Sequence, residues 1–299
     1  MEIVVIGMAF ILLLLALFPL LGSTQFLDSE CGTRSPLKLG PRVVNGKVAV
    51  RNSSPWMAFL HTSSNQFICG GTLISRRLVL TAAHCFIPNT TIVVRLGEFN
   101  RKLKGYREEH QVDRTFQHRL YDQNTHANDI ALLRLLSNVV YKANIRPICI
   151  MWDVSWKHHI DSIKVLTGTG WGRTESMHDS NELRTLDISR QPSKMCAFGS
   201  VLSNQFCAGN WNSNLCIGDT GGPVGAMIRY RSAYRFVQVG IAITNQRCQR
   251  PSVYTDVMGH IDFIRRIFLS QNGNDRIQTT LKPDKEPEFD WNNPYPILW

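Results

Sequence analysis

Residues 214–224 read NLCIGDTGGPV. Gly218 and the Gly221-Gly222 pair bracket Asp219 and Thr220, and Pro223 closes the stretch. Glycines at these places permit a sharp turn, because they adopt left-handed torsions without a steric penalty. The side chain presented on that turn is a hydroxyl, Thr220, flanked by backbone N–H groups. A hydroxyl beside N–H donors is half of an acyl-transfer site: a nucleophile and a cradle for the developing oxyanion. The other half, an imidazole to take the proton and a carboxylate to orient it, has to come from elsewhere in the chain.

Two segments supply it. TAAHC places His84 after an apolar strand and beside Cys85, and NDIALL places Asp129 at the start of another strand. Each segment has an ordinary structural explanation by itself; the three together, in the order His, Asp, hydroxyl, form one known arrangement of a catalytic triad.

Around these segments, from Val43 to about Val257, short apolar or alternating runs are separated by polar turns: PWMAFLH, GGTLIS, TIVVRLGEF, IKVLTGTGWG and RFVQVGIAI are examples. This spacing predicts an all-β barrel or sandwich. Val257, Ile261, Ile264 and Phe268 recur at helical intervals near the end, so one amphipathic helix is expected to pack on the barrels. From Gln271 to Trp299 the chain is polar, proline-bearing and aperiodic, which predicts an extended tail. At the other end, Ile3 to Leu21 is an uncharged apolar run followed by Gly22, Ser23 and Thr24, which reads as a secretory signal over residues 1–24, although Glu2 stands where a signal carries positive charge and the run is long enough to span a bilayer as an uncleaved anchor. Residues 25–42, with SPLKLGPR, then read as a linker-like propeptide.

Eight cysteines follow the apolar run, and an even number in an exported chain implies disulfides. None has the C-x-x-C spacing of a metal knuckle, so neither a metal nor a cofactor is expected. Asn52 in NSS and Asn89 in NTT are glycosylation sequons. The formal net charge of +10 comes from lysines and arginines scattered in ones and twos, without a basic run or interleaved aromatics, which argues against nucleic acid as a partner. The loop LGEFNRKLKGYREEH offers Glu98 with Glu108 or Glu109 as oxygen ligands for calcium, but Arg101, Lys102 and Lys104 would repel the cation.

RVVNG, GGTLIS, LTAAHC, NDIALL, TGWG, FCAG, CIGDTGGP and SVYTDV, in this order, resemble the signature segments of the chymotrypsin-like serine proteases, in particular their secreted insect branch. The resemblance covers about Val43 to Ser270. It implies two six-stranded antiparallel β-barrels with a cleft between them and a C-terminal helix. It implies His84, Asp129 and Thr220 at the triad positions and Gly218 with Thr220 at the oxyanion hole. It also implies cleavage after Arg42 by an activating protease, freeing Val43 to insert beside Asp219, and the pairs Cys31 with Cys149, Cys69 with Cys85, Cys196 with Cys207 and Cys216 with Cys248.

The chain departs from the family at the places that matter for turnover. Thr220 stands where the family has serine, and its extra methyl restricts χ1 and crowds the approach of substrate and His84. The strand that lines the substrate reads IAITNQRC, with Ile243 and Thr244 in place of a serine and an aromatic, followed by Asn245. In the specificity pocket, Asn214 replaces the aspartate that selects lysine or arginine, and Ser252 replaces a glycine that keeps the pocket open. The expected reading is a secreted, non-catalytic homologue that binds protein or peptide ligands, such as another protease, its substrate or an inhibitor, without stable membrane insertion. The alternative is a slow peptidase that uses Thr220 as nucleophile.

Overall fold

The computed structural model describes residues 25–34, 46–103, 105–173, 178–196, 201–211, 213–243, 248 and 250–278, the last seven by backbone alone. After β1 (Lys47–Val48), six strands form the first half: β2 (Met57–Thr62), β3 (Phe67–Leu73), β4 (Leu78–Thr81), β5 (Ile92–Leu96), β6 (Glu108–Gln117) and β7 (Ala131–Leu135). They close into an antiparallel barrel in the order β2-β3-β4-β7-β6-β5. The runs MAFLH, LVLT and IVVRL are buried throughout, as expected for strands with a filled barrel on one side and the rest of the molecule on the other. β6 is the exception, a mostly polar strand whose Asp113 pairs with Arg134 of β7. Register shifts at Leu60/His61 and Val112/Arg114 supply local bends in the closing strands.

The second half comprises β8 (Val165–Gly170), β9 (Arg184–Ser189), β10 (Gln205–Ala208), β11 (Pro223–Tyr230), β12 (Ala233–Ala242) and β13 (Ser252–Asp256). With β1 they make a seven-stranded sheet in the order β1-β9-β8-β11-β12-β13-β10. The all-β, two-halved architecture is therefore as expected, but only the first half closes and the second carries a seventh strand. β1 spans just two residues and pairs only with β9, through Lys47↔Thr185 and Val48↔Arg184, while β10 forms the other edge against β13. Helix α1 (Lys157–Ser162) is a short turn in the connection between the halves.

The halves are fastened together by buried side chains. Trp56 stacks on Phe236 with ring centroids 4.8 Å apart. The Thr72 hydroxyl of β3 donates to Gln238 Oε1 of β12 at 2.7 Å, both residues being buried. Replacing Thr72 with Val leaves that amide oxygen without its partner, and a buried unmet acceptor costs about 1–3 kcal/mol. A chemical-denaturation midpoint lowered by that amount is the expected result, with the fold unchanged by circular dichroism.

The linker-like stretch SPLKLGPR lies outside the described residues, and the segment before it is docked: Phe26 and Leu27 are buried, Leu27 N–H donates to Ile150 O at 3.2 Å, and the implied Cys31–Cys149 disulfide ties it to the second half. Gly32 sits at φ 67° between Pro147 and Phe236, where a Cβ would lie 2.7 Å from both Cys149 Sγ and the Phe236 nitrogen. At the other end, α2 (Ile261–Gln278) runs beyond the expected boundary at residue 270. Its apolar face, with Ile261, Ile264 and Ile267, is buried, and Gln271 is buried and hydrogen-bonded to Arg134, an anchor that hydrophobic periodicity does not reveal. No described helix is long and apolar enough to cross a membrane. The 1–24 signal, Arg42, Val43 and the tail from 279 onward lie outside the described residues.

Candidate active site

His84 lies in a single 3-10 turn, Ala83–Cys85, directly after β4. That turn is held from three sides. Cys85 is joined to Cys69 of β3, Gln117 Nε2 of β6 donates to Ala83 O at 3.1 Å, and Thr81 Oγ1 donates to Gly70 O at 2.8 Å. The imidazole is thereby pinned at the barrel rim with its side chain 18% exposed.

Asp129 precedes β7 and is completely buried. Its Oδ2 lies 2.6 Å from His84 Nδ1, and its Oδ1 accepts the His84 backbone N–H at 2.9 Å. A second imidazole, that of His126, places Nδ1 3.6 Å from the same Oδ2. Burial by itself raises the Asp129 pKa, but the imidazoles of His126 and His84 outweigh it and bring the carboxyl down to about 2. The loop carrying these residues has left-handed torsions at His126 and Asn128, both φ 53°. It is braced by Gln205 Nε2 donating to His126 O at 2.9 Å, Asn204 Nδ2 to Asn128 Oδ1 at 2.7 Å, and Thr255 Oγ1 to Asp129 O at 3.0 Å. The carboxylate of the first half is thus positioned by side chains from the second.

Thr220 is half-buried on the turn quoted above. Gly218 and Gly221 take φ 94° and 78°, the left-handed torsions that glycine accepts most readily. Gly221 is needed for a further reason: a Cβ there would lie 2.5 Å from both Gly70 O and Thr81 Oγ1. Gly70 N–H donates to Thr220 O at 2.8 Å, and Gly221 N–H donates to Ala242 O at 2.8 Å. The Gly70 hydrogen bond and the close fit of Gly221 on Gly70 and Thr81 hold the turn of the second half against β3 and β4, while the Gly221 hydrogen bond ties it to β12.

Asp219 is buried next to Thr220 and accepts the Gly172 N–H on Oδ1 at 2.7 Å and the Cys216 N–H on Oδ2 at 2.9 Å. The glycines of TGWG make room for it: a Cβ at Gly170 would fall 2.1 Å from Oδ1, and one at Gly172 would fall 2.4 Å from Oδ2. Desolvation raises this carboxyl to about 6, because the two backbone donors do not compensate for its removal from water.

Where the sequence resemblance puts the specificity pocket, Asn214 is turned back on the chain. Its Oδ1 accepts the Asn210 N–H at 2.7 Å, and its Nδ2 donates to Asn210 O at 2.6 Å and Cys248 O at 3.2 Å. Ser252 and Ile243 are buried. Asn245 and Thr244 lie outside the described residues.

The eight cysteines form Cys31–Cys149, Cys69–Cys85, Cys196–Cys207 and Cys216–Cys248, the four pairs implied by the sequence resemblance. Asn89 is exposed on a turn, while Asn52 is half-buried with Ser53 and Ser54 of its sequon buried. The Glu98 carboxylate is occupied by the chain's own cations, Arg107 Nη1 at 3.0 Å and Arg95 Nη1 at 3.4 Å. Arg95 also holds Glu109, and Lys142 holds Glu108.

Sequence reading overlooked His126, although it stands three residues before Asp129 in HAND, and it overlooked the role of Gly170 and Gly172 as walls of the Asp219 cavity.

A two-halved β fold with a buried aspartate on a histidine and a glycine-rich hydroxyl turn is that of the chymotrypsin-like proteins, and the chain belongs to the Trypsin family, which matches residues 43–264. The Drosophila melanogaster protein called Serine protease grass is 31% identical over 254 residues, spanning 76% of this chain and 67% of its own length. CLIP domain-containing serine protease B15 of Anopheles gambiae is 31% identical over 279 residues, 83% of this chain and 75% of its own. The crystal structure of the Drosophila Grass clip serine protease of the Toll pathway superposes with a TM-score of 0.70 at 29% identity, covering 80% of this chain and 75% of that one.

Proposed function

We propose that this chain is a secreted, non-catalytic member of the family, a module that binds protein or peptide ligands through its cleft and loops and regulates a protease cascade. What supports this reading is a threonine, Thr220, on the glycine-rich turn where the family resemblance puts the nucleophile, together with the His84–Asp129 pair. His84 and Asp129 are hydrogen-bonded as a general base and its orienting carboxylate, and Gly218 and Thr220 would offer the oxyanion N–H groups. The γ-methyl of Thr220 then occupies space that substrate and imidazole both need, and a misplacement near 1 Å costs about 10²-fold. The pocket reinforces the reading, since an inward-bonded Asn214 presents no carboxylate to a basic side chain. Switching on of the module would follow cleavage after Arg42, with the Val43 ammonium entering beside Asp219. Disulfide use is in keeping with export after removal of residues 1–24, and Asn89 with glycosylation.

The second reading, a slow peptidase, is favoured by the short 2.6 Å contact between His84 and Asp129, which a site freed of catalytic duty need not keep. A fluorophosphonate probe decides between them. Protein cut at Arg42 is expected to remain unlabelled and to leave a broad panel of peptide esters intact. Labelling of Thr220 that disappears in His84→Ala would establish the peptidase instead.

A further inference from the structure

We propose that His84, His126 and Asp129 form a binding site for a zinc ion at the cleft. One ligand atom from each of the three lies within 4.8 Å of the others. Two imidazoles and a carboxylate are a donor set suited to zinc, which takes three protein ligands and leaves a fourth position open, whereas calcium and magnesium favour all-oxygen sites. This set was invisible to the cysteine spacing that made a metal site unexpected, because its members come from two separate loops.

The distances define what binding requires. With zinc bonds of about 2.0–2.1 Å in a tetrahedron, ligand atoms stand about 3.3 Å apart. The His126 Nδ1 to Asp129 Oδ2 separation of 3.6 Å is close to that edge already. The 2.6 Å contact between His84 Nδ1 and Asp129 Oδ2 is a hydrogen bond, so the metal replaces its proton and the two atoms move apart by about 0.7 Å. His126 Nδ1 is the second observation. It is buried and lacks a hydrogen bond of normal length, facing Asp129 Oδ2 at 3.6 Å instead. A cation between the two would bind both atoms. The loop braces described above hold His126 in place, so the ring is oriented before any metal arrives.

The neighbouring sulfurs are not competitors, since Cys69 and Cys85 are joined to each other. Asp129 has no exposure, whereas the His84 and His126 side chains are 18% and 32% exposed, so entry and the open fourth position lie on the imidazole side. A water, or a carboxylate or imidazole of a bound protein, would complete the coordination there. Zinc held in this way engages His84, and the loaded form has no base to offer Thr220. The inference stands whether or not Thr220 can attack a peptide.

Tag-free protein titrated with zinc by calorimetry, and with cobalt by visible absorption, tests it. The expected result is one site whose cobalt spectrum is tetrahedral, with affinity reduced about tenfold or more by His126→Ala and again by Asp129→Asn. The double variant His158→Ala/His159→Ala, on α1, is expected to bind as the wild type does. His126 is partly exposed on a loop, so His126→Ala keeps the test meaningful if Asp129→Asn fails to fold. No binding with metal in large excess overturns the proposal, as does wild-type affinity in His126→Ala or loss of binding in the α1 variant.

Discussion

The uncut protein is expected to lose stability as the pH rises from about 4 to about 7.5, and Asp219→Asn to remove that loss. The Asp219 carboxyl has an ordinary value of 3.8 and is raised to about 6 in the fold by its burial. A group whose folded pKa is raised binds its proton more tightly in the native state, so its contribution is full below the unfolded value and is lost as pH rises through the folded one. The difference corresponds to about 3 kcal/mol at neutral pH. For a domain of this size each kcal/mol moves the melting temperature by about 2–4 °C. Relative to Asp219→Asn, the wild type should therefore lose roughly 6–12 °C across this window. The comparison rests on slope, because the Asn variant also mismatches one of the two N–H donors from Gly172 and Cys216.

Cutting after Arg42 should reverse the slope. An ammonium inserted beside Asp219 lowers that carboxyl, so the stabilisation appears near neutral pH and fades only when the α-amine itself, ordinarily near pKa 8 and raised by its partner, loses its proton. Removing either member of such a buried pair costs about 3–5 kcal/mol. Differential scanning of uncut and cut protein across pH measures both effects. Parallel curves for wild type and Asp219→Asn would show that Asp219 does not titrate in this range, and identical curves before and after cutting would show that no ammonium enters.

Thr220→Ser is expected to make the cut protein react with a fluorophosphonate at least ~10²-fold faster than the wild type. The acceptor machinery is already in place: His84 sits 2.6 Å from Asp129, and the turn from Cys216 to Gly222 is locked against β3 by the Gly70 to Thr220 hydrogen bond. Only the methyl group separates the two hydroxyls. Turnover of lysine and arginine esters, by contrast, should stay absent in Thr220→Ser and emerge only with Asn214→Asp added, since the native amide is committed to Asn210 and Cys248 and carries no charge. Equal labelling of wild type and Thr220→Ser would show that the methyl is no obstacle. Silence of the serine variant would place the defect in the rest of the cleft, where Ile243 and Ser252 are buried.

These expectations draw unequally on sequence. The strands were legible because runs such as MAFLH and IVVRL are apolar over a strand's length and end in polar turns, and α2 because its buried isoleucines repeat at helical spacing. The pairing of His84 with Asp129 and the proposal of Thr220 could be read from sequence because each of the three stands in a distinctive local motif. His126 was not, since a lone histidine in a polar loop has no meaning until tertiary contacts bring it to Asp129. Nor was the docking of Phe26 and Leu27, which depends on partners near Ile150 and on a disulfide to Cys149.

The amino-acid order alone determined the β architecture and proposed His84, Asp129 and Thr220 as the site residues, because these depend on local pattern and on side-chain chemistry. Tertiary structure decided the rest: which half closes as a barrel, how Gly170 and Gly172 admit Asp219, where Asn214 spends its hydrogen bonds, and that two imidazoles share one carboxylate. Those outcomes depend on atoms far apart in the chain meeting within a few ångströms, and contacts of that range are set by the packing of the two halves.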